Sequence, residues 1–175
     1  MRRGMGQRKK SDYNDRLLEV RRVTRVMAGG KRFSFRAAVV VGDGKGRVGF
    51  GLGKGLDVVG SIEKAKRQGE KNLITVPLVD HRTIPHEVDA KYGAARIRLK
   101  PARKGHGLIA GSAARAVLEL AGVKDVSAKT LGRTKNKIAN ARAALVALSS
   151  FHLRKPSKEP EASSVPVPPS IPPNA

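Results

Sequence analysis

The sequence predicts an α+β fold: an amino-terminal three-stranded sheet plus helix, then a mixed sheet with two helices. Three observations carry this expectation. Residues 30–55 hold an apolar run (Ala37 to Val41), a glycine-rich turn (Gly42 to Gly46) and a stretch in which every second residue is glycine. From Leu56 the apolar spacing changes from the strand period to the helical one. Beyond Ala95, Ile97 and Leu99 alternate with Arg96, Arg98 and Lys100, and two segments of helical spacing follow.

Taken in order, Met1 to Lys10 carries five basic residues and no acid, the composition of a basic arm. Leu17 to Met27 is rich in β-branched residues and ends at Ala28-Gly29-Gly30, which favours a strand; its imperfect alternation leaves a helix as the competing reading. Phe33 to Val41 and Arg47 to Gly53 follow as strands joined by the glycine turn, completing an antiparallel meander. In the third strand Val48, Phe50 and Leu52 share the face that buries a core. Gly49, Gly51 and Gly53 strip the other face, which is expected to meet an outside partner, with the following helix as the alternative. That helix places Val58, Val59, Ile62, Ala65, Gly69 and Leu73 on one side, with Asp57 in its first turn.

Ile74 to Val79, interrupted by Pro77, reads as an edge strand or a linker. Thr83 to Tyr92 and Ala95 to Lys100 read as strands, the second with a basic outer ridge. Pro101 to Gly107 is a basic glycine loop opening a helix at about Ile109, which runs to Ala121 with Gly122 as its C′ residue. Val123 to Thr130 gives a short strand. Asn136 caps a last helix whose apolar side is Ile138, Ala141, Leu145 and Leu148. Seven of the ten prolines lie beyond Lys155, so that stretch is expected to be extended. The chain thus divides into a basic arm (1–14), two small domains (15–75 and 76–151) each with a modest core, and a proline-rich tail (152–175).

Charge narrows the function. Thirty-six Lys and Arg against 14 Asp and Glu give a net charge of +22, which calls for a polyanionic partner. Nucleic acid comes first and an anionic membrane surface second. No apolar span approaches the ~20 residues of a membrane helix, and MRRGMGQRKK lacks the apolar segment of a secretory signal. With no cysteine, disulfides and thiolate metal sites are excluded. Aromatic residues make up only 3%, too few for a base-stacking platform.

Catalysis finds no foothold. Gly44-Lys45-Gly46-Arg47-Val48-Gly49 matches the dinucleotide-binding spacing, but it joins two strands, so no helix amino terminus faces a pyrophosphate. Gly49 to Gly55 has the wrong spacing for a phosphate loop, and Gly55 stands where a magnesium-binding hydroxyl is needed. His81, His86, His106 and His152 show no metal-ligand spacing, and Ser112 lacks the nucleophile elbow. No cofactor or metal is expected. What remains is phosphate contact by distributed cations, with N–H groups of Gly29-Gly30 and Gly42 to Gly46 available as donors. Few aromatics imply recognition of the shape of folded RNA more than of its bases.

Gly30-Lys31-x-Phe33-x-Phe35, Val41-Gly42-Asp43-Gly44, Gly46 to Gly51 and Gly53-Lys54, then Gly107 to Gly111 and Arg115 to Val123, resemble the bacterial small-subunit ribosomal protein S5 family from about Leu17 to Leu148. The resemblance implies an amino-terminal domain similar to double-stranded-RNA-binding domains and a carboxy-terminal domain with a left-handed βαβ crossover. It implies a cytoplasmic, ribosome-bound protein contacting small-subunit ribosomal RNA and the neighbouring small-subunit proteins four and eight. Arg21, Arg22 and Arg25 resemble the family's part of the channel by which messenger RNA enters. The loop from Thr24 to Arg32 corresponds to one that reaches toward the spectinomycin site.

The RNA-binding residues so indicated are Arg21, Arg22, Arg25, Gly29, Gly30, Lys31, Arg32, Phe33, Lys45, Arg47, Phe50 and Lys54, with Arg103 and Lys104 in the second basic loop. Gly107, Ile109, Ala110, Gly111 and Arg115 resemble the face against protein four, where family changes affect decoding accuracy. The expected function is a non-enzymatic structural constituent of the small ribosomal subunit that supports messenger entrance and translational fidelity. The alternative is a free RNA chaperone or a nucleoid-type binder.

Overall fold

A computed structural model describes residues 13–151; the tail and all but the last residues of the basic arm lie outside the described residues. The first sheet comprises β1 (Asn14–Met27), β2 (Gly30–Gly42), β3 (Arg47–Gly55) and β4 (Leu73–Thr75), antiparallel and in chain order. β1 is a strand throughout, which settles its competing helical reading. β4 is the short edge strand foreseen before Pro77, so the expected three-stranded meander gains a fourth member.

β1 and β2 pair from Asn14↔Gly42 to Met27↔Gly30, with a bulge between Leu17 and Glu19. β3 reaches β2 only as far as Phe35↔Gly55. The pair therefore projects beyond the sheet as a two-stranded ribbon, with a tight turn at Ala28-Gly29.

Helix α1 (Val58–Lys71) covers the glycine face of β3, and this overturns the expected outside partner. A Cβ on Gly51 would stand 1.9 Å from the Ala65 carbonyl oxygen; on Gly53, 2.0 Å from that of Ser61; on Gly49, 2.3 Å from that of Gly69. The helix answers with its own small side: Ser61, Ala65 and Gly69 are its buried residues. Of the expected apolar face, Ala65 and Gly69 are buried and Ile62 packs beside them, whereas Val58 and Val59 (69% exposed) at the helix start do not join it. Backbone-to-backbone contact dictates this choice, because larger side chains would hold the helix off.

The second sheet has the order β5 (Val88–Tyr92), β6 (Ala95–Pro101), β8 (Val126–Thr130), β7 (Leu108–Ile109). Its β7–β8 pair is parallel, and α2 (Ser112–Leu120) forms the crossover between them. Leu108–Ile109 was expected to open the helix; parallel pairing with Val126–Ser127 takes it into the sheet instead, and the helix starts at Ser112. The strand expected from Thr83 starts at Val88. Thr83 makes only an isolated bridge with Val79, closing a turn in which Asp80 and His81 adopt φ of 53° and 51°. Helix α3 (Lys137–Ser149) is capped as foreseen: the Asn136 side chain accepts from the N–H groups of Ile138 (3.1 Å) and Ala139 (3.4 Å).

Two separate cores were expected, but the main cluster is continuous across both sheets. Ala38, Val40, Val48 and Phe50 from the first sheet join Ile97, Leu99, Val117, Leu118, Val126 and Leu148. The opposite side of the first sheet packs Ala37, Val39 and Val41 on Ala65 of α1. Gly51→Ala is expected to force α1 away from β3, at a cost of at least ~3 kcal/mol and a fall in Tm on the order of 10 °C. Gly29→Ala, where nothing lies within 4 Å of the added carbon, is expected to stay within ~0.5 kcal/mol. Thermal unfolding of the two variants beside the parent checks the contrast.

Candidate nucleic-acid interface

Strand register sorts the ribbon's charges. Arg21 lies opposite Arg36, and Arg36 opposite Lys54; farther out, Arg25 lies opposite Arg32. Directly paired residues share a face, so all five cations stand on one side of the ribbon and sheet, the side away from α1. Like charges in opposed positions repel; Glu19 joins them, accepting from Arg21 Nε at 2.6 Å. Arg22 and Lys31 fall on the other face with Phe33, which is 48% exposed beneath the Arg22 guanidinium at 4.7 Å. Gly29 and Gly30 form the open tip, where Gly30 has φ 141°.

The remaining expected RNA contacts do not gather there. Phe50 is 8% exposed, its ring under Arg142 in the shared core, so it cannot offer a stacking face; this corrects its assignment. Lys45 and Arg47 sit at the far end of β2, about 37 Å from Lys31 at ~3.4 Å per residue. Arg47 is partly neutralised by Asp43, at 3.3 Å.

The glycine turn between β2 and β3 is not a phosphate cradle. The Gly44 and Gly46 N–H groups donate to the carbonyls of Leu120 and Ala121 at the end of α2, both at 3.0 Å. Lys45 N–H donates to Asp43 Oδ1 (2.7 Å), as does Arg47 N–H (3.0 Å). Desolvation pushes the Asp43 carboxyl up, but these bonds and the Arg47 charge outweigh it and hold the group below its ordinary range. Gly122, at φ 83°, completes the helix end: its N–H donates to Glu119 and that of Val123 to Leu118, the paired bonds of a Schellman motif. The N–H groups from Asp43 to Gly46 that were expected to meet phosphate are thus committed within the protein, while Gly29 and Gly30 stay at the open tip.

The second basic loop is organised by a residue the sequence did not single out. Asp125 is 2% exposed. Its Oδ1 accepts from the N–H groups of Gly105 (3.1 Å) and Gly107 (3.0 Å), and its Oδ2 from Arg82 Nε (2.9 Å). The Gly107 bond first, then Arg82, hold its carboxyl below the usual range against the effect of burial. Its partners lie 18 to 43 residues away, so no local pattern could announce it. The loop so anchored exposes Arg103 and Lys104 on one side. On the other, Ile109 (53%), Gly111 and Arg115 are exposed, Gly107 and Ala110 half-buried. The basic ridge on β6 is largely answered by β5: Arg98 makes a bidentate pair with Asp89 (2.7 and 2.6 Å), and Lys100 reaches Glu87 at 3.3 Å.

Asp125→Asn is expected to lower Tm at neutral pH and to speed proteolysis within 101–107. A carboxyl depressed in the folded state stabilises above the unfolded value of ~4 and loses that contribution as pH falls through the folded value. The Tm gap between parent and variant should therefore narrow below about pH 4; a gap independent of pH would show that the charge is not what holds the loop.

Residues 13–77 match the family described as ribosomal protein S5, N-terminal domain, and residues 90–159 match ribosomal protein S5, C-terminal domain. Small ribosomal subunit protein uS5 of Synechococcus elongatus is 51% identical over 143 residues, covering 82% of this chain and 79% of that protein. Small ribosomal subunit protein uS5c of Guillardia theta is 49% identical over 140 residues, 80% and 82% of the two chains. The Gloeobacter violaceus uS5 protein is 50% identical over 157 residues, 90% of this chain and 69% of its own. With both family domains matched in order onto the two sheets, the chain belongs to the ribosomal protein S5 family.

Proposed function

We propose that this chain is a structural constituent of the small ribosomal subunit that holds ribosomal RNA on the arginine face of its β1–β2 ribbon. Family membership makes it a component of the ribosome and not an enzyme. The observation that carries the RNA reading is the opposed row Arg21, Arg36 and Lys54 with Arg25 and Arg32 beyond it, an unfavourable concentration of like charge in the free protein. A phosphate backbone relieves that repulsion, releasing counterions as it binds. Lys31 and the exposed Phe33 extend the contact to the other face of the tip, and Arg103 and Lys104 add a separate cationic point. The tip from Thr24 to Arg32 is directed at the subunit head. Arg21 and Arg25 from the arginine face, and Arg22 from the other, border the path of the entering messenger RNA.

Gly107, Ile109, Ala110, Gly111 and Arg115 serve as the face against small-subunit protein four, with protein eight as the second neighbour. The exposed apolar Ile109 beside Arg115 suits a protein contact more than a phosphate one. Through that contact the chain bears on decoding accuracy. A free RNA chaperone would carry the same charge but no fixed stoichiometry with ribosomal RNA. Sedimentation of cell extract separates the two: the chain is expected with small subunits, and recovery mainly as free protein would sink the ribosomal assignment.

Replacing Lys31 and Arg32 together by alanine is expected to flatten the salt dependence of RNA binding by roughly one unit of log-log slope per lost phosphate contact. A titration across 50 to 200 mM salt reads the slope, and an unchanged value removes the tip from the RNA face.

A further inference from the structure

We propose that α1 carries a second RNA-backbone site, on the opposite side of the first sheet from the ribbon's arginines, so that the chain joins two RNA segments and does not grip only one. The inference rests on the RNA-binding reading above and adds a second, separate surface to it.

The geometry comes from the register. Ala37, Val39 and Val41 point toward α1, while Arg36 and Lys54 alternate with them and point away. The helix buries Ser61, Ala65 and Gly69 against the sheet. Lys64, Arg67 and Lys71, spaced i, i+3 and i+7, then form a stripe along the helix flank, all three exposed. With Gln68 and Asn72 they line an open cleft of about 370 Å³. Lys64 Nζ reaches the Lys54 carbonyl on β3 at 3.4 Å, and the neighbouring Lys66 pairs with Asp15 at 2.7 Å. A phosphate-bearing strand on this stripe and another on the ribbon face would be separated by the thickness of a helix and a sheet, about 10 Å or more. One continuous backbone cannot lie on both without wrapping the edge of β3.

A second cleft, of about 330 Å³, opens beside the first and shares Gln68 and Asn72 with it. Beyond β3's pairing with β4, which stops at Gly49, this cleft runs past Leu52 to Tyr92, Arg142 and Val146. Arg142 lies over the Tyr92 ring at 5.3 Å and donates to its hydroxyl, and the ring is 38% exposed. An unpaired base lifted from the strand on the α1 stripe finds there a guanidinium plane, an aromatic edge and the amides of Gln68 and Asn72. The ligand class is accordingly RNA with a bulged or single-stranded nucleotide, not a continuous duplex.

The test uses the full chain and two RNA hairpins, each with a single-nucleotide bulge, one carrying a donor dye and the other an acceptor. At one protein per two hairpins the parent chain should give energy transfer. Lys64→Ala/Arg67→Ala/Lys71→Ala should abolish transfer while one hairpin still binds, and should lower the log-log salt slope by about two to three units. Removing the bulge should weaken transfer in the parent and leave that variant's remaining binding unchanged. Arg25→Ala/Arg32→Ala/Arg36→Ala should abolish transfer from the other side. If the α1 variant keeps parental transfer and slope, the second site is overturned while the ribbon site stands. If the ribbon variant alone is silent, the reading beneath it falls instead. If the α1 variant binds RNA as the parent does but no longer joins reconstituted small subunits, the stripe is a protein face. Arg36 is half-buried and the other five substituted side chains are exposed, and matching circular dichroism and Tm would separate lost contact from lost fold.

Discussion

The carbonyl end of α2, held by the glycine turn of the first sheet, is the contact on which the arrangement of the molecule depends. Two of that helix's last carbonyls are answered by its own Schellman bonds, and the next two by Gly44 and Gly46 across the unit boundary. The fit has no slack: a Cβ on Gly42 would lie 2.3 Å from the Leu120 oxygen, and one on Gly122 2.1 Å from the Gly44 oxygen. Two neutral hydrogen bonds are worth only ~1 kcal/mol each. Burial of side chains such as Val40, Phe50, Leu118 and Leu148, each worth about 1.5–3 kcal/mol, does far more to hold the sheets together. The turn's role is therefore directional. Apolar burial tolerates sliding, whereas two N–H groups aimed at two carbonyls allow one registration, and that registration sets where the ribbon points.

The same residue type solves a second packing problem by the same means. On β3, glycines let α1 approach until backbone meets backbone; at the turn, they let a helix end approach. In sequence both look like surfaces prepared for phosphate, because glycine reports close approach without naming the partner. The answer was hidden in the small side of α1, where Ser61, Ala65 and Gly69 match the glycines in size. Ala65, Gly69 and Ile62 of the expected face do turn to the sheet; only Val58 and Val59, at the helix start, turn away from it.

What was legible follows from range. Strand and helix periods, the turn, the Asn136 cap and the Gly122 helix end are set by residues within a few positions of one another, and the structure keeps them. The inward set Val48, Phe50 and Leu52 was likewise readable from alternation; that Phe50 lies too deep to stack on RNA was not, since its cover comes from Arg142. Gathering the ribbon's five cations needed the pairing register, which sequence spacing leaves open. Asp125 was invisible for the same reason, its three partners lying in two distant loops.

The placement of the few acids explains how so basic a chain folds at all. Asp43 and Asp125 take backbone N–H bonds at the two glycine loops, and Asp89 and Glu87 neutralise the open face of the second sheet. These four carboxylates sit where the chain turns or where sheet two would otherwise repel itself. The ribbon is left nearly without them. Its strands keep their pairing because the inner ends, from Val20↔Ala37 back to Asn14↔Gly42, are anchored on the core. Moving a carboxylate onto the ribbon would relieve repulsion in the free protein and weaken it as a polyanion contact. The uneven sharing of acids is therefore itself a mark of where the partner binds: structure is neutralised internally, and the projecting ribbon is left to be neutralised from outside.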